Sequence, residues 1–417
     1  MNIWIFNQFA IPHDAAGGTR HYDFAREFVK QGNQVLIFAS GFNHRTRKEE
    51  RLQEGQIYRR ENVNDVEFCW IRTPGYYRGN DWRRMVNMLC YSIRVVWIGI
   101  RLRGNPDIIL ASSPHILTGL AGWILAKLKR AAFIFEVRDL WPLTLIEIGG
   151  YNRKNLLVLI LGLIERSLYC CANKIVVLMP KASDYISSLG IPVNKVIYIP
   201  NGANPELFSD SDIGLPSELS EIIGNLRSRG KFLVGYAGAY GIVNNLDSII
   251  EAAKLLQEKG KENFHFILVG GGTEKSRLIN LANILGLNNI TFFDPIPKKM
   301  VPVFLKKIDV AIKPGRLTRL GSYGVTPNKI FDYMASATPI VWVSNSINNP
   351  VEEAKCGVSV YSEDSDGIVN AVIELRNISE NERCEMGLRG YNYVMMHHSV
   401  PDLATRLLGV MNDAKLE

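Results

Sequence analysis

The chain has 417 residues, of which 47% are hydrophobic and 21% charged, and this predicts a folded protein of two or three domains. The composition excludes intrinsic disorder, collagen and a coiled coil. The net charge of +7 is uneven, because residues 1–204 hold 26 Lys and Arg against 16 Asp and Glu, whereas the remainder holds 22 against 25. We therefore expect the first half of the chain to face an anionic partner.

The start of the chain predicts a cytoplasmic protein. Residues 1–6 lack the basic region and the long apolar core of a signal peptide, and the six cysteines show no spacing typical of disulfides or zinc. The longest uncharged run covers residues 108–126, but its interior is polar and contains Pro114. We predict a buried strand, a turn and a helix there, and no transmembrane segment.

Strands and helices alternate along the first half of the chain. Short apolar runs predict strands at 3–6, 34–38, 107–110, 132–137, 174–178 and 195–199, and the segments between them predict helices at 19–30, 117–129 and 153–171. Strands that are apolar on both faces and alternate with helices are typical of a parallel doubly wound sheet.

A more polar stretch from Asn201 to about Gly230 marks a domain boundary. Strands follow at 232–236, 264–269, 289–293, 310–312 and 339–343, with helices at 246–259, 274–286, from Asn328, and at 401–414. The predicted fold class is α/β, with two doubly wound Rossmann-like domains facing a central cleft. We place the domains at 1–204 and 205–400, and we expect residues 401–417 to form a terminal helix that packs back on the first domain.

Two glycine-rich turns follow predicted strands and open predicted helices. The first contains Gly17 and Gly18, and the second contains Gly271 and Gly272. Backbone N–H groups at such turns can hold a phosphate, and glycine lets the ligand approach closely. A dinucleotide G-x-G-x-x-G pattern and a Walker lysine pattern are both absent from the sequence. One such turn is also consistent with a plain strand-to-helix connection, so the pair carries more weight than either turn alone.

The densest group of functional residue types lies between Lys313 and Pro339. A basic, glycine-bearing loop leads into a helix start at Pro327, and Lys329 and Asp332 are three residues apart on one face of that helix. The lysine and the positive helix end can hold a diphosphate, and the carboxylate can accept hydrogen bonds from both hydroxyls of a ribose. The alternative from spacing alone is a surface ion pair.

Several segments resemble the retaining glycosyltransferases of family 4, in particular the bacterial branch that transfers N-acetylated deoxysugars in O-antigen and capsule synthesis. The resemblance covers almost the whole chain in family order. The segments that carry it are 9–12, 17–22, 111–114, 135–142, 199–203, 236–238, 269–272 and 327–335.

The resemblance implies the GT-B fold, with an acceptor-binding first domain and a nucleotide-sugar-binding second domain. It implies transfer of a sugar such as N-acetylfucosamine from a nucleoside diphosphate sugar, with UDP as the expected nucleotide, to an undecaprenyl-diphosphate-linked saccharide. The residues predicted to bind the donor are Gly17, Gly18, Gly238, Gly271, Gly272, Arg316, Arg319, Asn328, Lys329 and Asp332. The residues predicted to be catalytic are Arg138, Asp139 and Lys329, and those predicted to contact the acceptor are His115 and Arg138.

The chain departs from the family pattern at three places. Two glutamates eight positions apart correspond here to Gly324 and Asp332, and a basic pair corresponds to Ala239 and Asn244. A family histidine is replaced by Arg138. We expect Lys329, Arg316 and Arg319 to supply the charge for the diphosphate. Because departure of a diphosphate requires only charge stabilisation, no metal ion and no cofactor are predicted.

Residues 76–103 predict an amphipathic, basic helix. Six arginines are interleaved with apolar residues, and Asp81 alone opposes them. Such a helix can lie at the headgroup boundary of an anionic membrane, so we predict peripheral contact with the inner face of the cytoplasmic membrane. The alternative is a helix packed in the core, and we expect Trp82, Tyr91, Trp97 and Trp123 to be packing residues. We place His397 and His398 on the surface.

Two rival functions remain open at this point. A nucleotide-sugar 2-epimerase of the same fold would need carboxylates and histidines that line the cleft. A non-catalytic basic protein could bind a membrane or nucleic acid, but the two glycine turns argue against it, and no nucleic-acid-binding module is present in the sequence.

Overall fold

A computed structural model describes residues 1–13, 17–43, 47–75, 82–113, 115–209, 213–361 and 363–417. The chain forms two α/β domains, each built on one central sheet. Both sheets place the carboxyl ends of their strands toward a cleft between the domains.

The first domain contains an eight-stranded sheet in the order β10-β9-β8-β7-β1-β2-β6-β5 and a small two-stranded sheet, β3-β4. Its strands are β1 (Asn2–Phe6), β2 (Gln34–Ser40), β3 (Phe42–Asn43), β4 (Lys48–Glu49), β5 (Tyr58–Val63), β6 (Val66–Ile71), β7 (Ile108–Ser112), β8 (Ala132–Val137), β9 (Lys174–Val177) and β10 (Val196–Tyr198). Its helices are α1 (Arg20–Lys30), α2 (Trp82–Arg101), α3 (Ile116–Lys129), α4 (Leu143–Glu147), α5 (Leu156–Cys171) and α6 (Ala182–Ser188).

The second domain contains a six-stranded sheet in the order β13-β12-β11-β14-β15-β16. Its strands are β11 (Phe232–Ala239), β12 (Phe264–Gly271), β13 (Ile290–Phe293), β14 (Val310–Lys313), β15 (Ile340–Val343) and β16 (Gly357–Val360). The remaining helices are α7 (Glu206–Ser209), α8 (Ser217–Ser228), α9 (Asp247–Glu258), α10 (Lys275–Ile284), α11 (Val301–Leu305), α12 (Asn328–Ala335), α13 (Pro350–Glu353), α14 (Ser365–Asn377), α15 (Glu380–His397) and α16 (Val400–Leu416).

The prediction of two doubly wound domains is confirmed, although strands β5, β6 and β16 of the two large sheets were not predicted. Strand β5 pairs with β6 in the antiparallel direction, whereas the other strand pairs described in both large sheets are parallel. The residues of β5 are mostly exposed, as expected for an edge strand, and their polarity hid the strand from a search for apolar runs. The polar stretch after Asn201 also contains an unpredicted helix, α8.

The terminal helix α16 packs against the first domain although it follows the second in sequence. Leu403, Leu407 and Met411 belong to the same buried cluster as Phe28 of α1 and Ile37 of β2. The chain therefore crosses between the domains twice, once near Ala203 and once near Val400. None of the helices in the described ranges is both long and apolar enough to cross a membrane.

The two crossings lie side by side. The amide of Ala203 donates to the carbonyl oxygen of His398 at 3.0 Å, and the amide of Val400 donates back to the carbonyl oxygen of Ala203 at 3.0 Å. His398 stacks on Phe331 of α12, with ring centroids 4.3 Å apart, and its Nδ1 lies 3.1 Å from the carbonyl oxygen of Asn201. The prediction that His398 lies on the surface is therefore wrong, because this ring fills the junction between the crossings and α12.

Candidate active site

A cavity of about 1500 Å³ separates the two domains. Its walls include the ends of β11, β12 and β14, the start of α12, and the segment that follows β8. Of the predicted donor-binding residues, nine line this cavity: Gly17, Gly18, Gly238, Gly271, Gly272, Arg316, Asn328, Lys329 and Asp332. Arg138 and Asp139 line the opposite wall. The fold therefore brings together predicted site residues that are up to 315 positions apart in the sequence, from Gly17 to Asp332.

The floor of the cavity is formed by two glycine turns of the second domain, residues 238–241 at the end of β11 and residues 270–272 at the end of the neighbouring strand β12. The second was predicted, and the first is not the predicted turn at Gly17 and Gly18. The amide of Tyr240 donates to the carbonyl oxygen of Gly271 at 2.8 Å, which joins the two turns. A Cβ atom at Gly270 would lie 1.8 Å from the carbonyl oxygen of Gly238, and one at Gly272 would lie 2.4 Å from that of Tyr240. Only glycine allows the two backbone segments to approach this closely, and the result is a cavity floor made of backbone.

Lys329 lies above this floor, in the first turn of α12. Its Nζ donates to Oδ1 of Asn244 at 3.2 Å and lies 5.4 Å from the ring centre of Tyr236. A Cβ atom at Gly238 would lie 1.9 Å from Cε of Lys329, so the glycine makes room for the lysine. Lys329 thus brings a positive charge to Asn244, one of the two positions where the family resemblance places a basic residue.

The start of α12 adds a second source of positive potential. Pro327 occupies the N-cap position and provides no side-chain acceptor, and it lines the cavity together with Asn328 and Lys329 of the first turn. The helix dipole and the ammonium of Lys329 therefore act on the same volume, and both favour an anionic ligand.

Asp332 is buried one turn further along α12 and forms an ion pair with Lys298. Burial raises the pKa of Asp332, and the neighbouring Lys298 opposes that effect. The two side chains are held together at the cavity wall, which both of them line. The partner Lys298 was not predicted, because it precedes Asp332 by 34 positions and belongs to a different element.

The first-domain wall presents Arg138 and Asp139, directly after β8. The amide of Arg138 donates to Oγ of Ser113 at 2.8 Å, which fixes the backbone of this segment. Asp139 is open to the cavity, yet the surrounding protein atoms displace bulk water from it, and this desolvation raises its pKa against the opposing effect of Arg138. A carboxyl group of this kind can exchange a proton with an acceptor hydroxyl.

A buried charge network supports that wall from behind. Oε1 of Glu136 accepts from Nε of Arg20 at 2.9 Å, and Oε2 lies 2.7 Å from Nε2 of His21 and accepts from Oγ of Ser112 at 2.6 Å. Burial raises the pKa of Glu136, but the neighbouring Arg20 and His21 outweigh it and hold the pKa well below its usual range. The network ties α1, β7 and β8 together next to Arg138, and His21 acts in it as a structural residue.

The structure places two predicted site residues away from the cavity. His115 is buried beside Thr118, whose Oγ1 lies 2.9 Å from Nε2, and burial with the charge of Arg84 lowers the pKa of His115 to about 3. It is therefore a neutral packing residue rather than an acceptor contact. Arg319 is exposed in the 3-10 turn 319–323 and does not line the cavity. Both predictions were wrong because strand ends and loop positions do not fix side-chain direction.

The rival epimerase finds little support in this cavity. Within the described ranges, no histidine lines it, and His44 lies outside those ranges. The described part of the chain also holds no group of three or more His, Cys, Asp and Glu side chains that could bind a metal ion. In the described residues, the second-domain wall of the cavity carries Lys329 and the backbone of the glycine turns. The first-domain wall carries Arg138 and Asp139.

Comparison with known proteins agrees with this geometry. Residues 16–202 match the family described as "Glycosyl transferase 4-like domain", and residues 231–377 match "Glycosyl transferases group 1". The chain is 24% identical over 312 residues to WcaI of Escherichia coli strain K12, which is named as a colanic acid biosynthesis glycosyl transferase; the alignment covers 70% of this chain and 74% of WcaI.

Two solved structures share the whole fold. Sucrose-phosphate synthase from Thermosynechococcus elongatus superposes with a TM-score of 0.74 at 16% identity and covers 99% of this chain and 98% of its own. Anabaena HepE in complex with UDP and glucose superposes with a TM-score of 0.69 at 14% identity and covers 99% of this chain and 100% of its own.

These two domain matches and the shared GT-B fold define the class: the protein is a glycosyltransferase. More narrowly, they support its assignment to the family 4 glycosyltransferases, as the sequence motifs predicted.

Proposed function

We propose that the protein transfers a sugar from a UDP-sugar to a lipid-diphosphate-linked saccharide in the synthesis of a bacterial surface polysaccharide. The proposed sugar is an N-acetylated deoxyhexose such as N-acetylfucosamine, and the proposed carrier lipid is undecaprenyl diphosphate. The observation that carries the donor side of the proposal is the convergence of Lys329, the start of α12 and two glycine turns on one cavity.

The proposed reaction places the donor diphosphate between Lys329 and the N–H groups of α12. Negative charge builds up on the diphosphate as its bond to the sugar breaks, and preorganised positive groups stabilise that charge. Asp332 would hold the ribose, and Arg138 with Asp139 would meet the acceptor hydroxyl across the cavity. Retention of the anomeric configuration and independence of metal ions are part of the proposal, and no protein nucleophile is assigned.

The membrane part of the proposal rests on an exposed apolar surface of the first domain. Helix α2 buries Met88, Tyr91, Val95 and Ile98. It exposes a row of other apolar side chains to solvent: Trp82, Met85, Val86, Leu89, Ile93, Trp97 and Ile100. Trp82 is 71% exposed and Trp97 is 38% exposed, so neither packs in the core, whereas Tyr91 of the same predicted packing set is buried. Residues 76–81 of the predicted basic segment, with Arg78 and Asp81, lie outside the described residues.

This surface continues onto α5. Leu156, Leu159, Ile160 and Leu163 recur with helical spacing and are all exposed, and α3 packs between α2 and α5. Exposed apolar rows flanked by arginines suit the boundary of an anionic bilayer, where a lipid-linked acceptor would be presented. We therefore include peripheral attachment to the inner face of the cytoplasmic membrane in the proposed function.

The experiment that tests the donor chemistry is a transfer assay with purified protein, a panel of UDP-sugars and an undecaprenyl-diphosphate-linked acceptor. We expect Lys329→Ala to lose about 2–4 kcal/mol of transition-state stabilisation, measured as kcat/KM, with little loss of folding stability. The matched control is Lys261→Ala, which removes an exposed lysine of the same domain outside the cavity.

Two further measurements test the proposed retention of configuration and the proposed independence of metal ions. Anomeric configuration by NMR tests retention, and a chelator tests metal independence. A kcat/KM of Lys329→Ala equal to that of the control would remove the lysine from the site, and the absence of transfer from every donor by the wild-type protein would contradict the proposed function.

A further inference from the structure

A second lysine of the cavity has no role in the site described so far. Lys313 is the last residue of β14, is 8% exposed, and lines the cavity. Its Nζ donates to the carbonyl oxygen of Pro314, the next residue. Among the described residues no carboxylate lies within ion-pair distance of this ammonium.

The strand register shows which way Lys313 points. Side chains two residues apart on a strand lie on the same face of the sheet. Ala311 belongs to the buried cluster that contains Phe331 of α12, and Trp342, the register partner of Lys313 on β15, belongs to the same cluster. Lys313 is therefore on the α12 side of the sheet, the side that also presents Lys329 to the cavity.

The environment of Lys313 is costly for a charged group. Moving an ammonium group out of water destabilises a protein by several kcal/mol unless an opposite charge or several hydrogen bonds compensate. Burial lowers the pKa of Lys313 to about 8, so the group is still largely protonated at neutral pH. A buried ammonium at a cavity wall, with one carbonyl as its partner, lacks the compensation that such groups usually have in a resting protein.

A second buried lysine in the same cavity provides the contrast. Lys298 is 9% exposed, almost the same as Lys313, but it is paired with Asp332. The fold thus pairs the ammonium of Lys298 with a carboxylate, whereas the ammonium of Lys313 has only a carbonyl partner and lines the cavity. An anion that enters the cavity can supply the missing charge to Lys313 but not to Lys298.

We propose that Lys313 is a further donor-binding residue, whose ammonium pairs with the diphosphate of the nucleotide sugar. This inference rests on the proposed function, because it takes the diphosphate as the anion that enters the cavity. Lys313 and Lys329 then approach the diphosphate from β14 and from α12, and together they replace the basic pair whose positions hold Ala239 and Asn244 in this chain. Lys313 begins the stretch 313–339 in which functional residue types are densest, but sequence analysis assigned it no role, since a lysine at the end of an apolar strand is equally consistent with a solvated loop residue.

Calorimetry with UDP and with uridine separates this role from simple packing. We expect Lys313→Met to weaken UDP binding at least tenfold and to leave uridine binding within about twofold of the wild type, because methionine keeps the apolar stem and removes the charge. The matched control is Lys306→Met, which removes an exposed lysine outside the cavity and should leave both affinities unchanged. Without nucleotide, Lys313→Met should unfold at a temperature no lower than the wild type.

Equal UDP affinity in Lys313→Met and the wild type would overturn the inference, and so would an equal loss of UDP and uridine binding, which would show a packing role. If Lys313→Met does not fold, Lys313→Gln serves with the same measurements. A wild-type protein that binds no UDP would contradict the proposed function together with this inference, whereas UDP binding that is insensitive to Lys313 contradicts this inference alone.

Discussion

Several ionisable side chains of this protein are buried, and they differ in how their charge is compensated. Glu136 accepts from an arginine and a serine and contacts a histidine, Asp332 is paired with a lysine, and Lys313 has one carbonyl. Glu165 of α5 is a fourth case, because its carboxyl oxygens accept from the hydroxyls of Tyr169 at 2.8 Å and Tyr185 at 2.9 Å, with no cation beside them in the described part of the chain.

The sequence predicted those cavity residues whose proximity follows from local spacing. Lys329 and Asp332 are three apart on one helix, and both line the cavity. Lys298 and Lys313 were missed because their burial and partners depend on contacts between distant elements. His115 was misassigned for the same reason, since its position at the end of β7 gave no information on whether its ring turns to the cleft or to Thr118.

Glu165 predicts a specific dependence of stability on pH. Burial raises its pKa to about 8, despite the hydrogen bonds from both tyrosines, which lower it. The unfolded chain releases this proton near the ordinary pKa of 4.5, while the folded protein retains it up to about pH 8. The contribution of this group to the free energy of unfolding therefore falls as pH rises through this range, by up to about 1.4 kcal/mol per pH unit.

The substitution Glu165→Gln removes that proton release and keeps an acceptor for the tyrosines. We expect the free energy of unfolding of Glu165→Gln, relative to the wild type, to increase from pH 5 to pH 8 in urea denaturation. The control Glu218→Gln changes an exposed carboxylate at the start of α8 and should give a difference nearly independent of pH. A pH-independent difference for Glu165→Gln would show that its carboxyl is not protonated in the folded state.

At the scale of elements, periodicity predicted that α2, α3 and α5 exist but not which faces are covered. An apolar stripe usually faces the core, yet α2 carries apolar residues on both sides of the helix, and α5 leaves Leu163 68% exposed. Strand β5 was missed because an exposed edge strand has no apolar pattern, whereas β6 was missed although most of its residues are apolar and buried. Neighbouring elements decide these features, and their arrangement is not encoded within any one segment.

The exposed face of α2 predicts salt-sensitive binding to anionic liposomes. Each basic residue near an anionic bilayer contributes on the order of 1 kcal/mol, and salt screens that attraction. We expect the wild type to co-sediment with vesicles of phosphatidylglycerol and phosphatidylethanolamine at low salt and to be released at high salt. The double variant Arg83→Glu/Arg84→Glu should bind more weakly while its circular dichroism spectrum is unchanged.

The control for this charge change is Lys254→Glu/Lys259→Glu, which introduces the same change in α9 and at its C-cap in the other domain. It should bind vesicles as the wild type does. Equal binding by the wild type and the α2 variant, or binding by neither, would refute membrane attachment through this helix.

At the scale of the molecule, the candidate active site depends on the alignment of the two domains, because both of them line the cavity. Several contacts cross the cleft: the amide of Lys181 donates to the carbonyl oxygen of Tyr323 at 3.0 Å, and the side chain of Asn201 donates to the carbonyl oxygen of Thr326. The double crossing at Ala203 and Val400 lies beside these contacts. Sequence patterns predicted the two domains and the terminal helix, but the adjacency of the two crossings required the folded chain.

The double crossing makes Gly202 a sensitive position. A Cβ atom there would lie 2.1 Å from the carbonyl oxygen of His398 and 2.8 Å from Cδ1 of Leu403, so Gly202→Ala must push the two crossings apart. Overpacking of this kind costs about 1–3 kcal/mol, and here it also displaces one domain against the other. We expect Gly202→Ala to lower the free energy of unfolding in denaturant titration and to lower kcat/KM, because residues on opposite walls of the cavity no longer align.

Gly224→Ala is the matched control, since a Cβ atom at this exposed position of α8 meets nothing within 4 Å. Alanine in a helix should be neutral or stabilising by about 0.5–1 kcal/mol. If Gly202→Ala kept wild-type stability and kcat/KM, the domain alignment would not depend on the close contact between the crossings.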